Sequence, residues 1–307
     1  MEMTIVRAGQ YTTVQDLGRS GWRAAGVPLG GAMDPFALRI ANLLVGNPEN
    51  AAALEFTLAG PELAFSADTV VALAGAECDG LPALQSVRVR AGERIALGGC
   101  RRGCRGYLAV AGGIAIAPVL GGRGTYLRAG FGGWEGRLLR DGDVLPVTPA
   151  TREVGDHWRV DARVLPAYSA APTVRVVRGA QCAEFGRAFW ENEFRVAPQS
   201  DRMGLRLQGP KLERTDADDL LSSAVAPGTV QVPPDGQPIV LMADAQTIGG
   251  YPQIAHVVTV DLPLLAQLRA GDAVRFADVT LDEAQRLLLA RERMLGMLRE
   301  GLAQKIH

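Results

Sequence analysis

Short apolar runs cut by turn residues dominate the chain, at positions 69–74, 95–97, 106–110, 174–177, 239–243 and 256–260. They are short, rich in valine and cut by turn residues, unlike repeated strand–helix units. This spacing predicts short strands arranged in barrels or sandwiches. A turn pattern recurs between them. Arg90-Ala-Gly-Glu93, Arg140-Asp-Gly-Asp143 and Arg269-Ala-Gly-Asp272 each place glycine third and an acid fourth, and each precedes a short apolar strand. Glycine supplies the positive φ that such turns need. A looser echo pairs Gly60-Pro-Glu-Leu63 with Gly209-Pro-Lys-Leu212, hinting at two related halves. Helical signals are few. Asp34-Pro35 opens one, with Asp34 as cap, Pro35 at the first helical position and Gly46 as terminator. Thr280-Leu-Asp-Glu283 is a capping box for a last helix whose stripe of Ala284, Leu287, Leu288, Met294, Leu295 and Leu298 predicts a packing face.

Length and composition narrow the classes. The chain has 307 residues, 48% of them apolar, enough for a large core or two ordinary ones. The weakly periodic segment 148–171 is the candidate boundary, giving an N-terminal domain over 1–165 and a C-terminal domain with the terminal helix over 166–307. Thirty-two basic residues balance 33 acidic ones for a net charge of -1. That balance predicts no nucleic-acid partner and no anionic membrane surface. No apolar stretch reaches the roughly 18 residues of a membrane span. Met-Glu-Met-Thr-Ile-Val-Arg7 lacks the basic start and apolar core of a signal peptide, so a cytoplasmic location is expected. Cys78, Cys100, Cys104 and Cys182 form neither a disulfide framework nor a repeated Cys-x-x-Cys metal site.

Several familiar chemistries find no motif. There is no Gly-x-x-x-x-Gly-Lys-Ser/Thr loop and no Gly-x-Ser-x-Gly elbow. His157, His256 and His307 make no recognisable ligand set, and His256 sits inside an apolar strand pattern. Cys100-x-x-x-Cys104 lies among arginines that can lower a thiol pKa. The remaining candidates are carboxylates, arginines and glycine-rich turns. Asp244-Ala-Gln-Thr-Ile-Gly-Gly-Tyr-Pro252 follows the run 238–243 and brings a carboxylate, an amide and a hydroxyl to a backbone relieved of Cβ atoms. Such a segment either lines a ligand pocket or simply turns after a core strand. Asp34, in Gly30-Gly-Ala-Met-Asp34, either caps its helix or also meets a ligand. Arg128, in Leu127-Arg-Ala-Gly-Phe-Gly-Gly-Trp134, can fork onto a carboxylate or phosphate, or stand as a surface arginine. Asp201 and Arg202, in Gln199-Ser-Asp-Arg-Met-Gly204, either pair within a turn or face a ligand.

These motifs, with Pro233-Pro-Asp-Gly-Gln-Pro238 between the last two, occur in an order that carries a family resemblance over about residues 3–280. The chain resembles the family variously called biotin-dependent carboxyltransferase, allophanate hydrolase subunit 2 or antagonist of a sporulation kinase inhibitor. That family includes the C subunit of bacterial ATP-dependent 5-oxoprolinase. The resemblance implies a mainly β chain of two cyclophilin-like β-barrel domains with a few short helices and a C-terminal helix. It implies a related B subunit and a separate lactam-hydrolysing A subunit as partners. The expected activity is ATP-dependent opening of 5-oxo-L-proline to L-glutamate, with the chain inactive alone. Two alternatives go with the family: transfer of a carboxyl group from carboxybiotin to urea or a related amide, and non-enzymatic regulation. Carboxylation needs a biotinylated carrier lysine, and neither Lys211 nor Lys305 sits in a Met-Lys-Met setting.

For the preferred reaction the resemblance implies ATP and Mg2+ at a site shared with the B subunit, where the lactam oxygen is phosphorylated. The catalytic candidates are then Asp34, Asp201 and Asp244, with Asp244 and Asp201 as magnesium ligands. Arg128 and Arg202 are candidate phosphate or carboxylate clamps. Gln246 and Thr247 are placed to bond the lactam amide, with Gly249 and Gly250 leaving space and Tyr251 packing on the ring.

Overall fold

The structure, a computed structural model, describes residues 1–150, 154–155, 157–216 and 220–304, so Lys305 and His307 lie outside the described residues. Two compact units are present. The first comprises Met1–Arg19, Gly30–Ala167 and the chain from Met294 onward, and the second Ser20–Leu29 and Tyr168–Arg293.

In the first unit a four-stranded sheet runs in the order Arg94–Ala96, Glu62–Phe65, Glu2–Arg7, Val144–Pro146. A five-stranded sheet runs Thr12–Gln15, Ala53–Thr57, Cys100–Val110, Thr69–Cys78, Ser86–Val89. Met3, Ile5, Leu63 and Phe65 from the first sheet pack with Leu54, Phe56, Leu73 and Leu108 from the second in one core. The far face of the five-stranded sheet is covered by the helix Pro35–Leu44, through Phe36, Ile40 and Leu44 against Ala72, Ala74 and Ala109. Strand Thr69–Cys78 is therefore buried on both faces, which is why its sequence reads as a continuous apolar run instead of alternating.

The second unit closes. Its strands follow the order Thr173–Arg178, Gln253–Val257, Thr229–Gln231, Ile239–Leu241, Gly204–Gln208, Phe194–Val196, Ala273–Asp278. A parallel pairing of Thr173 with Arg275 and Val174 with Phe276 then joins the ends. Phe189, Phe194 and Phe276 are buried together, with the Phe189 and Phe276 rings stacked 4.5 Å apart.

The expectation of two barrels is thus corrected. Among the described residues only the second unit is a closed barrel; the first is two open sheets with a helix layer. The reason lies in the edges. Thr12–Gln15 and Ser86–Val89 end one sheet and Arg94–Ala96 and Val144–Pro146 end the other, and none of these strands pairs across.

Local chemistry follows the sequence closely. All three Arg-x-Gly-acid turns are built alike. The acid's carboxylate accepts from the arginine's backbone N–H at 2.9, 2.8 and 2.8 Å, and the glycines have φ of 76°, 88° and 89°. Asp34 caps the first helix, accepting from Ala37 N–H at 2.9 Å, and Gly46 follows its end at φ 70°. Thr280 Oγ1 accepts from Glu283 N–H at 3.2 Å at the start of Leu281–Ala303. The predicted stripe packs only toward its end: Leu295 is buried with Met294 and Leu298 beside it, while Leu288 is exposed. Lys211-Leu212, the second half of the Gly-Pro-x-Leu echo, forms no strand, unlike Glu62–Phe65. No helix among the described residues is long and apolar enough to cross a membrane.

His256 resolves as a strand residue opposite Thr229, with Nδ1 3.3 Å from the threonine hydroxyl. Burial pushes its pKa below the ordinary histidine value. The folded state thus holds this proton less tightly than the unfolded one. Its stability is complete above the unfolded pKa of about 6.5 and declines as pH falls below it. Urea midpoints should drop between about pH 7 and about pH 5.5, and by less in His256→Gln. Equal drops would remove His256 from the acid response.

Candidate functional site

The two units each gather part of the predicted set. In the first, the strands Thr12–Gln15, Ala53–Thr57 and Cys100–Val110 align Thr13 with Glu55 and Glu55 with Tyr107. These polar side chains lie under the start of the Pro35–Leu44 helix. Glu55, 2% exposed, accepts from Met33 N–H at 2.8 Å and from the Tyr107 hydroxyl at 2.7 Å. The Tyr107 oxygen in turn accepts from Asp34 N–H at 2.8 Å. Burial, and then the neighbouring Glu55 charge, hold the Tyr107 pKa well above the usual phenol value, so the ring stays a donor. Asp34 is fully buried as the helix cap.

The preceding loop is tied down by Asp16, whose carboxylate accepts from the N–H groups of Gly18, Arg123 and Gly124. Arg19, 1% exposed, donates to the carbonyls of Val119 and Gly124 and lies over the Phe131 ring. At Gly31, φ is 80° and a Cβ would stand 2.6 Å from Gly18 N, so only glycine fits. Arg128 is exposed on the turn 126–131, which is closed by Tyr126 N–H to Phe131 O and by an edge-to-face contact of those two rings. The backbone that carries its guanidinium is thereby braced.

In the second unit Arg202 and Asp244 come together. Arg202 Nε and Nη2 donate to the two carboxylate oxygens at 2.8 and 3.1 Å, and the two residues are only 6% and 5% exposed. Their backbones are linked as well, Asp244 N–H to Arg202 O at 2.9 Å. Asp201 points elsewhere: its Oδ1 accepts from Met203 and Gly204 N–H, forming an Asx turn. Of the two arrangements open to Asp201 and Arg202, the turn pairing gives way to a longer-range pair of Arg202 with Asp244.

Beyond Asp244, Thr247 is buried and its carbonyl accepts from Val225 N–H. Gln246 Nε2 stands 3.5 Å from Gln231 Oε1, and Gln231 Nε2 donates to Tyr251 O. A Cβ on Gly249 would stand 2.7 Å from the Gln231 amide nitrogen, so a side chain there would have to displace that amide. Gly250, Tyr251 and Pro252 line a cavity of about 670 Å³ with Phe185, Lys211 and Arg214 on its other walls. Tyr251 is 47% exposed there, and Arg214 is steadied by Glu184. An open aromatic ring and prolines suit a small molecule with an apolar ring, while Lys211 and Arg214 share the lining with Glu213 and Asp216.

The residues do not make a magnesium site. Both Asp244 oxygens are taken by Arg202 and one Asp201 oxygen by two amides. Among the described residues no group of three or more His, Cys, Asp or Glu is placed to hold a metal.

Sequence reading missed Glu55, Tyr107, Asp16 and Arg19. Asp16-Leu-Gly-Arg19 carried a signal, an acid and an arginine flanking a glycine directly after a strand. Glu55 and Tyr107 carried none, because only strand pairing makes them neighbours.

A closed barrel, a helix-backed pair of sheets and glycine-tightened polar loops define the class. The chain belongs to the carboxyltransferase-domain family, subdomains A and B, whose family model matches residues 25–278. Within it, the chain is 44% identical over 315 residues to the C subunit of 5-oxoprolinase from Escherichia coli (strain K12), covering 99% of both chains. It is 41% identical over 308 residues to the protein of the same name from Haemophilus influenzae, covering 95% of this chain and 96% of that one. Among solved structures it superposes on the K. lactis urea amidolyase with a TM-score of 0.91 at 28% identity, covering all of this chain but 21% of that one.

Proposed function

We propose that this chain is the C-type component of an ATP-dependent 5-oxoprolinase that opens 5-oxo-L-proline to L-glutamate, acting in the cytoplasm with a related B subunit and a lactam-hydrolysing A subunit. The observation that carries this reading is the end-to-end match to a 5-oxoprolinase C subunit, over 99% of both chains. A lactam carbonyl is a weak electrophile because nitrogen delocalises into it. ATP, with Mg2+, supplies the chemistry that activates the carbonyl oxygen, and in this reading both are held by the assembled complex.

The chain's own part is recognition and placement. Tyr251 offers a face to the lactam ring, with Lys211 and Arg214 on the same cavity to meet its carboxylate. Gln246 and Thr247, earlier on the same loop, are the proposed amide and hydroxyl partners of the lactam amide. Arg128, exposed on its braced turn in the first unit, is a separate candidate for holding a carboxylate or phosphate. Asp244 and Asp34 act through the shape they impose, one by fixing Arg202 and the other by capping a helix.

The superposition on urea amidolyase favours a second reading, a carboxyltransferase component. The two separate in one reconstitution. ATP hydrolysis is measured in the assembled complex with and without 5-oxo-L-proline, while glutamate is followed. Coupled ADP and glutamate that vanish when this chain is omitted are the expected result. An intact complex indifferent to 5-oxoproline, yet active with carboxybiotin carrier and urea, would sink the oxoprolinase reading.

A further inference from the structure

Four cysteines are buried in the structure outside any disulfide, and two of them meet. Cys78 ends strand Thr69–Cys78 and Cys100 begins strand Cys100–Val110, directly opposite one another in the antiparallel register. Their sulfurs are 3.0 Å apart, closer than an ordinary non-bonded sulfur contact. Residues opposed across an antiparallel pair have Cα atoms about 4.5–5.5 Å apart, inside the range a disulfide spans. We propose that Cys78 and Cys100 are a redox modification site, a dithiol that a peroxide closes to a disulfide and a low-molecular-weight thiol reopens.

The surroundings permit the chemistry. The register slips between Glu77 and Cys78, so the strand end is bulged rather than locked into the ladder. Cys100 is the more exposed residue, at 8% against 3% for Cys78. The partner thiol and burial push the Cys78 pKa upward, and the first attack is assigned to Cys100 as the more exposed residue of the two. Cys100 sulfur displaces one oxygen of hydrogen peroxide, giving a sulfenic acid and water. Cys78 sulfur then attacks that sulfur and the hydroxyl leaves, taking the Cys78 proton as a second water. Two thiols and one peroxide become one disulfide and two waters, with two electrons passing from sulfur to oxygen.

The bridge would act on the excursion between the two cysteines, which are 22 positions apart. That excursion carries Ser86–Val89, an edge of the five-stranded sheet, and Arg94–Ala96, an edge of the four-stranded one. Closing it shortens the free loop of the unfolded chain and ties the base of the crossover between the sheets.

The test uses the full chain. It is treated with hydrogen peroxide, blocked with N-ethylmaleimide under denaturing conditions, digested and mapped by mass spectrometry, with thiols counted in parallel. Thiols should fall from four to two, with one peptide pair joined through Cys78 and Cys100 and released by dithiothreitol. The apparent Tm of the oxidised chain should rise by on the order of 5 °C. Cys104→Ser should still form the bridge, and Cys100→Ser should not. Four blockable thiols after oxidation, separate sulfinic acids at the two positions, or a bridge to Cys104 or Cys182 would overturn the proposal. The wild-type map decides even if a variant fails to fold.

Discussion

Arg202→Ala is expected to destabilise the second unit by about 3–5 kcal/mol, the usual penalty for stripping one member from a buried ion pair. The pair is bidentate and almost wholly removed from water. Its loss leaves the Asp244 carboxylate buried without its cation, in a segment where Asp244 N–H is also tied to Arg202 O. The double variant Arg202→Met with Asp244→Leu should recover most of the loss, because it removes both desolvated charges together. Urea melts of the single and double variants measure this. A single variant within about 0.5 kcal/mol of the parent would show that the pair is not structural, and so would restore both residues as open candidates for ligand contact.

Glu55→Ala is the second large effect, about 3 kcal/mol or more, from two buried donors left without an acceptor together with the cavity left behind. The donors are Met33 N–H and the Tyr107 hydroxyl, at 2.8 and 2.7 Å. Tyr107→Phe should cost less, about 1–3 kcal/mol, since it orphans chiefly Asp34 N–H. Both changes act on the turn that presents Asp34. In the assembled complex Tyr107→Phe should therefore lower turnover even at temperatures where the chain stays folded. Full turnover with normal folding in Tyr107→Phe would separate this network from the reaction.

Local rules carried far in this chain. Three turns of one design, a proline-started helix with an aspartate cap and a threonine-capped final helix were all legible, because each depends on residues within four positions. The apolar runs marked strands for the same reason, except that the run 256–260 leaves its strand at Val257 and turns into the 3-10 helix Thr259–Asp261. Their pairing was not legible. Periodicity does not say whether five short strands close on themselves or end as edges, and the first unit's strands end as edges.

The candidate residues divide along the same line. Gly31 and Gly249 stand where a side chain would strike backbone or the Gln231 amide, and the composition of their motifs already announced tight loops. Asp201 and Arg202 were open either to pairing within their turn or to facing a ligand. The Asp201 carboxylate turns instead to two backbone amides, and Arg202 reaches 42 positions along the chain to Asp244. Glu55 and Tyr107 are 52 positions apart and meet only because two strands lie in register. By itself the sequence determined the family, the β-rich class, the turns and caps, and which loops carry polar side chains. Only the tertiary structure decided which unit closes, which charges neutralise one another and which groups stay open to a cavity. Those outcomes are set by non-local strand pairing and by the desolvation of charges that burial brings together.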